Sequence, residues 1–145
     1  MPLGRIITKK SIESVLNERE LLAELKHPFL VNMVYAFQDR LNLYLVMDYM
    51  PGGDLRFQLG RCDRFPENVV KFFVCCILLS LQYLHGNNII HRDLKPENLI
   101  FDAKGYLRLT DLGVARLFTP DNYRDTSGTP GYMAPEVINR ENHSF

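Results

Sequence analysis

The stretch His91-Arg92-Asp93-Leu94-Lys95-Pro96-Glu97-Asn98 decides how this chain reads. It holds a carboxylate, Asp93, able to orient and deprotonate a hydroxyl, and a cation, Lys95, able to balance charge on a group in transit. It also holds Asn98, whose amide oxygen suits a hard divalent cation. Eighteen residues after Asp93 comes a second acid, in Thr110-Asp111-Leu112-Gly113, and Ala134-Pro135-Glu136 follows it. Taken singly, each polar residue here reads as a solvated loop side chain. Three motifs in this order form a constellation.

Working outward, the chain has 145 residues, the size of one ordinary domain, and its 46% apolar content is enough for a core. Seventeen basic and 17 acidic residues cancel, so neither a nucleic acid nor a membrane surface is expected as partner. No apolar run reads as a membrane span, and Met1-Pro2-Leu3-Gly4-Arg5 does not lead into a signal-peptide core. Cys62, Cys75 and Cys76 have neither disulfide-framework nor metal-ligand spacing, which suits a reducing compartment. A soluble, intracellular, cytoplasmic protein is expected.

Residues 11–25 read as a helix capped by Ser11, with Ile12, Val15, Leu22 and Leu25 on one face and Lys26-His27-Pro28 closing it. Residues 30–37 and 41–49 read as strands joined by a hairpin, and Pro51-Gly52-Gly53 breaks the pattern. A short helix is expected over 54–59. A longer apolar one should run from about Pro66 to His85, before Gly86-Asn87-Asn88. Short strands follow at 99–102 and 106–110, and the chain from Leu112 onward reads as a long ordered loop, of the kind that usually carries function.

Phosphoryl transfer from a nucleotide needs a proton acceptor, cations to neutralise phosphates and ligands for those cations. Asp93, Lys95 and the oxygens of Asn98 and Asp111 meet that need. The ordered motifs resemble the catalytic loop, metal-binding loop and activation-segment end of the eukaryotic serine/threonine protein kinases, and the resemblance covers essentially the whole chain. It implies an α+β, two-lobe kinase-like fold, truncated. Part of the N-lobe sheet with its helix would occupy 1–49, a hinge 50–53, and the start of a mainly helical C-lobe 54–145. It also implies ATP and Mg2+ as cofactors and protein substrates as partners. A small-molecule phosphotransferase is disfavoured by Lys95-Pro96-Glu97 and by residues 128–136.

Residue by residue, the resemblance makes Asp93 the base and Lys95 its charge-balancing partner. Thr129, in Gly128-Thr129-Pro130-Gly131-Tyr132-Met133-Ala134-Pro135-Glu136, would pack near the catalytic loop. His91 would be a structural histidine in a hydrophobic spine with Leu22, Met33 and Leu112, the last standing where phenylalanine is commoner. Glu18 would be the acid that pairs with a strand lysine. In Tyr44-Leu45-Val46-Met47-Asp48-Tyr49-Met50, Met47 would be the gatekeeper and the backbone of Asp48 and Met50 would meet the adenine edge, with Ile100 beneath the ring. Asp54 and Glu97 resemble acids that face arginines in basic substrates. The first helix and hinge look like the AGC group, whereas 127–133 also fits the calcium/calmodulin-dependent group.

Aligned backward from Gly128, Asp125 falls where AGC relatives carry a regulatory phosphothreonine, and Arg92 would receive that phosphate. Two readings stay open: Asp125 as a constitutive carboxylate, or phosphorylation of Thr126 or Ser127 in a shifted register. Thr126 is preferred, because a phosphate brings more charge and more acceptors.

No Gly-x-Gly-x-x-Gly occurs, and Lys9 and Lys10 lie too near Glu18 to stand on a strand across from it. By resemblance that lysine falls just before Met1, and the partner of Glu136 lies in later helices. The chain then reads as roughly the middle half of a kinase domain. Two expectations follow: a partial record of an active kinase, or a catalytically incompetent product that acts by binding or regulation, or is non-functional. The isolated chain is expected to be poorly soluble or partly folded, and to have negligible activity.

Overall fold

The computed structural model describes residues 1–2 and 12–145, with only the backbone of Glu13. The expected Ser11 cap and the reading of Lys9 and Lys10 lie outside the described residues. Helix α1 is Ile12–Glu24. Leu21, Leu22 and Leu25 are buried, whereas Ile12 is 46% exposed. The apolar face is therefore shifted toward the helix end, and Ile12 does not belong to it. The polar residues Ser14, Asn17 and Glu18 take up the neighbouring stripe at i, i+3 and i+4 spacing.

Strands β1 (Met33–Gln38) and β2 (Leu43–Met47) form an antiparallel hairpin, registered from Met33↔Met47 to Gln38↔Leu43. Asp39 shapes its turn, accepting from the backbone of Leu41 and Asn42 at 2.7 Å each. Met33, Leu45 and Met47 pack inward on the core, while Tyr35 and Phe37 remain exposed. Helix α2 (Leu55–Cys62) starts at Asp54, whose Oδ1 accepts from Phe57 N at 2.7 Å. Helix α3 (Glu67–Gly86) begins after Pro66, which stands at its N-cap rather than in its first turn. It buries Cys76, Ser80 and Leu84.

By length and composition α3 is apolar enough to cross a membrane, with a mean hydropathy of 1.7. This corrects the expectation that no run is so apolar: its charges, Glu67 and Lys71, sit in the first turns, leaving 72–86 without one. A core helix has the same composition, and α3 packs against the strand pair described next.

That pair, β4 (Leu99–Phe101) and β5 (Leu107–Leu109), is antiparallel from Leu99↔Leu109 to Phe101↔Leu107. Asp102 closes its turn by accepting from Lys104 and Tyr106. The pair joins the rest of the molecule on both sides. Leu109 N donates to Phe29 O at 2.9 Å and Val31 N to Leu109 O at 3.0 Å. Gly52 N donates to Phe101 O at 3.1 Å, an approach so close that a Cβ at Gly52 would lie 2.5 Å from Phe101 Cβ. The core runs continuously from Leu21, Leu22 and Leu25 through Leu30 and Leu84 to Leu99, Leu107, Leu109 and Leu112.

The region after Leu112 departs from an unbroken loop. Strand β6 (Arg116–Leu117) pairs antiparallel with β3 (Ile89–Ile90), and Phe118 N continues the contact to Asn88 O at 2.7 Å. Helix α4 (Pro135–Ile138) closes the segment. Both elements are too short to leave a periodic signal.

Candidate active site

The loop between β3 and β4 and the segment ending at α4 meet around one carboxylate. Asp93 is buried, at 8% exposure. Its Oδ2 accepts from Lys95 Nζ at 2.6 Å and Asn98 Nδ2 at 3.1 Å, and its Oδ1 accepts from Thr129 Oγ1 at 2.6 Å. Lys95 Nζ also donates to Thr129 Oγ1 at 2.7 Å, closing a triangle across 36 residues of chain. Burial alone would push the Asp93 carboxyl up, but hydrogen bonds from Lys95, Thr129 and Asn98 outweigh it and hold the group below its ordinary 3.8. The same bond to Asp93 pushes the Lys95 ammonium up. The pair is ionised at neutral pH.

His91 lies directly beneath. Its Nδ1 accepts from Asp93 N at 3.3 Å, so the proton sits on Nε2, which donates to Thr110 O at 3.0 Å. Burial holds its pKa below 6.5, consistent with a neutral ring. His91 thus supports the loop and does not act as a base. It is buried alongside Leu22 and Leu112, with Met33 packed on the same core.

Two oxygens remain open for a cation. Asn98 uses both amide protons on Asp93, its backbone O at 2.9 Å and Oδ2 at 3.1 Å, which orients Oδ1 away with no described donor. Thr110 N donates to Asn98 O at 3.0 Å, placing Asp111 next to it in the chain fold. Asp111 sits at φ +65°, exposed, and among the described residues only Gly113 N donates to it, on Oδ1 at 3.2 Å. No cluster of three His, Cys, Asp or Glu that could hold a metal occurs among the described residues. An amide and a carboxylate together with a ligand's own oxygens are what magnesium ordinarily takes, so the donor set fits.

Helix α1 docks on the Asp111-Leu112-Gly113 loop by polar hooks that the sequence reading missed. Ser14 Oγ donates to Gly113 O at 2.5 Å and Asn17 Nδ2 to Ala115 O at 3.0 Å. Glu18, one position on, has its pKa raised by burial and then by the Asp111 charge. Among the described residues Glu18 has no ion pair. The i, i+3, i+4 polar stripe was the available signal.

The Arg92 side chain is 6% exposed; its Nε donates to Val114 O at 2.7 Å and its Nη1 lies 3.3 Å from Asp125 Oδ2, too poorly angled for a hydrogen bond. Thr126 is exposed and does not reach Arg92 by any described bond. Gly128, at φ +138°, lets the segment pass so closely that a Cβ would lie 2.8 Å from Arg92 O. Met47 ends β2 half-buried, and Ile100 faces away from the buried pair Leu99 and Phe101. Asp48 N donates to Asn32 O at 2.9 Å. Asp54 spends one oxygen as the α2 cap, and Glu97 lies 3.9 Å from Arg56 on the exposed surface. Glu136 is exposed in the first turn of α4.

The protein kinase domain profile matches residues 4–145. The chain belongs to the protein kinase family. Among its kinase relatives, the cAMP-dependent protein kinase catalytic subunit of Schizosaccharomyces pombe is 45% identical over 134 residues, 92% of this chain and 26% of that protein. Mouse ribosomal protein S6 kinase alpha-2 is 46% identical over 88% of this chain and 18% of its own length. Human serine/threonine-protein kinase 32C is 42% identical over 96% of the chain and 28% of its own length. The chain therefore spans about a quarter or less of these curated kinases.

Proposed function

We propose that this chain carries the catalytic centre of an ATP-dependent serine/threonine protein kinase acting on protein hydroxyls. The observation that carries the reading is the Asp93–Lys95–Thr129 triangle, with the open oxygens of Asn98 and Asp111 beside it. Asp93, ionised and fixed by three donors, accepts the substrate hydroxyl's proton and aims its oxygen. Lys95 offsets negative charge on the group being transferred. Asn98 Oδ1 and Asp111 would hold Mg2+, which supplies phosphate neutralisation when ATP is bound. The Asp48 carbonyl and the Met50 backbone would meet the adenine edge, with Met47 as gatekeeper and Ile100 beneath the ring. Asp54 and Glu97 would receive basic residues of the substrate, and Glu18 would pair with a strand lysine.

For regulation, the constitutive reading draws support from the Arg92–Asp125 ion pair at 3.3 Å. The test is transfer of labelled phosphate to serine, threonine and tyrosine peptides by the complete protein. Asp93→Asn should lower kcat by on the order of 10²–10⁴-fold. Unchanged turnover in that variant would sink the reading.

A second reading, a chain acting by binding alone, has one observation in its favour. Phe72, Val74, Leu78 and Leu79 on α3 and Tyr35 and Phe37 on β1 are exposed apolar groups. The 145-residue chain assayed by itself separates the two: phosphate transfer would exclude a purely binding role.

A further inference from the structure

Four polar side chains outside the catalytic cluster meet where the β1–β2 hairpin faces the β4–β5 pair. Asp48 Oδ2 takes three donors: Asn32 N at 3.1 Å, Asn32 Nδ2 at 3.0 Å and Arg108 Nη1 at 3.0 Å. Arg108 stands on β5 and extends Nη2 to Asp102 Oδ2 at 3.2 Å, in the β4–β5 turn. Asn32 in turn grips the loop behind α1. Its Nδ2 donates to His27 O and Leu30 O at 3.1 Å each, and its Oδ1 accepts from His27 N at 2.9 Å. One guanidinium thus joins segments 60 residues apart through two carboxylates.

The arrangement is a poor device for stability alone. The Arg108 and Asp48 side chains are 24% and 30% exposed, so water competes for their ion pair. Open cavities of about 490 Å³ beside Asn32 and Asp48 and about 470 Å³ beside Asp102 and Arg108 flank it. Arg108 Nε is sealed from solvent without a described acceptor, a cost that hydrophobic replacement would avoid. Its geometry instead suits orientation. Asn32 O takes the Asp48 N–H, while the Asp48 carboxylate holds Asn32 N and Arg108, so Asp48 is anchored by both backbone and side chain. Strand β5 also runs from Arg108 into Asp111, and it pairs with β4, which Asn98 precedes.

We propose that Arg108, acting through Asp48 and Asn32, is a positioning residue that fixes the hinge backbone for the nucleotide base. It does so relative to the strands that deliver Asn98 and Asp111. The proposal rests on reading Asp48 and Met50 as the adenine edge. In the complete protein, Arg108→Gln should raise KM for ATP on the order of three- to tenfold, with kcat changed less than about twofold. Arg108→Lys should recover part of the loss, because an ammonium is a point charge that cannot fork to both carboxylates. In an Asp48→Asn background, Arg108→Gln should change KM by less than about twofold, since the pair is already broken. Hydrogen exchange at the Asn32 and Asp48 amides should quicken several-fold in Arg108→Gln.

Loss in kcat at unchanged KM, additive effects of the two substitutions, or unaltered exchange at Asn32 and Asp48 would each overturn the clamp. Absence of transfer by the unsubstituted protein would defeat the kinase reading instead, and the exchange measurement would still decide whether Arg108 holds the hinge.

Discussion

At the scale of single residues, the proposed catalytic cluster depends on short bonds to one carboxylate. Thr129→Ala removes a donor to Asp93 and an acceptor for Lys95, and should lower kcat on the order of tenfold with little change in KM for ATP. Because the Asp93 pKa is depressed, its contribution to stability is present above the ordinary 3.8 and is lost only as pH falls through the lower folded value. A pH–rate profile should therefore show no acid limb from Asp93 near neutrality. Asp125→Asn should weaken activity several-fold while Thr126→Ala leaves it unchanged; the opposite pair of results would restore phosphorylation of Thr126. The residue types and spacing behind the proposal for Asp93, Lys95, Asn98 and Asp111 were legible because loop chemistry is local in sequence. The left-handed backbone of Arg92 and Asp111, at φ +68° and +65°, was not, since nothing about those side chains calls for it.

Among the elements, punctuation made most boundaries readable. Pro28, Pro51-Gly52-Gly53, Pro66 and Gly86 bracket α1, the β1–β2 hairpin, α2 and α3, and the observed ends fall within a few residues of the expected ones. The β3–β6 pair was invisible, because two residues give no period and their pairing spans segments far apart in sequence. Ser14 and Asn17 were overlooked for a related reason: their partners are the backbone carbonyls of Gly113 and Ala115, which carry no signature. Two substitutions test the elements. Asp54→Ala uncaps α2 and should cost about 1 kcal/mol in denaturant unfolding. Gly128→Ala forces a Cβ to 2.8 Å from Arg92 O at a positive φ, and should cost roughly 2 kcal/mol or more while disrupting the Thr129 contact.

For the molecule as a whole, three histidines set the acid response. Burial holds His27, His85 and His91 below 6.5, so the unfolded chain binds more protons than the folded one as pH drops under that value. Thermal unfolding followed at about pH 7.5, 6.5 and 5.5 should show Tm steady over the first interval and falling over the second. A flat profile would contradict rings held neutral by partial or full burial.

The pairing of β6 with β3 at one side, and the seating of Gly128 and Thr129 on the catalytic loop at the other, has a topological consequence. Residues 119–127 form a closed loop moored at both feet. Lengthening such a loop costs little, about 0.6 kcal/mol for each doubling, so an insertion among exposed residues 119–121, short of buried Asn122 and its bonds to Asn142 and His143, should leave Asp93 undisturbed. A protease nick at exposed Arg124 should likewise leave both feet attached, giving two fragments that migrate together until denatured.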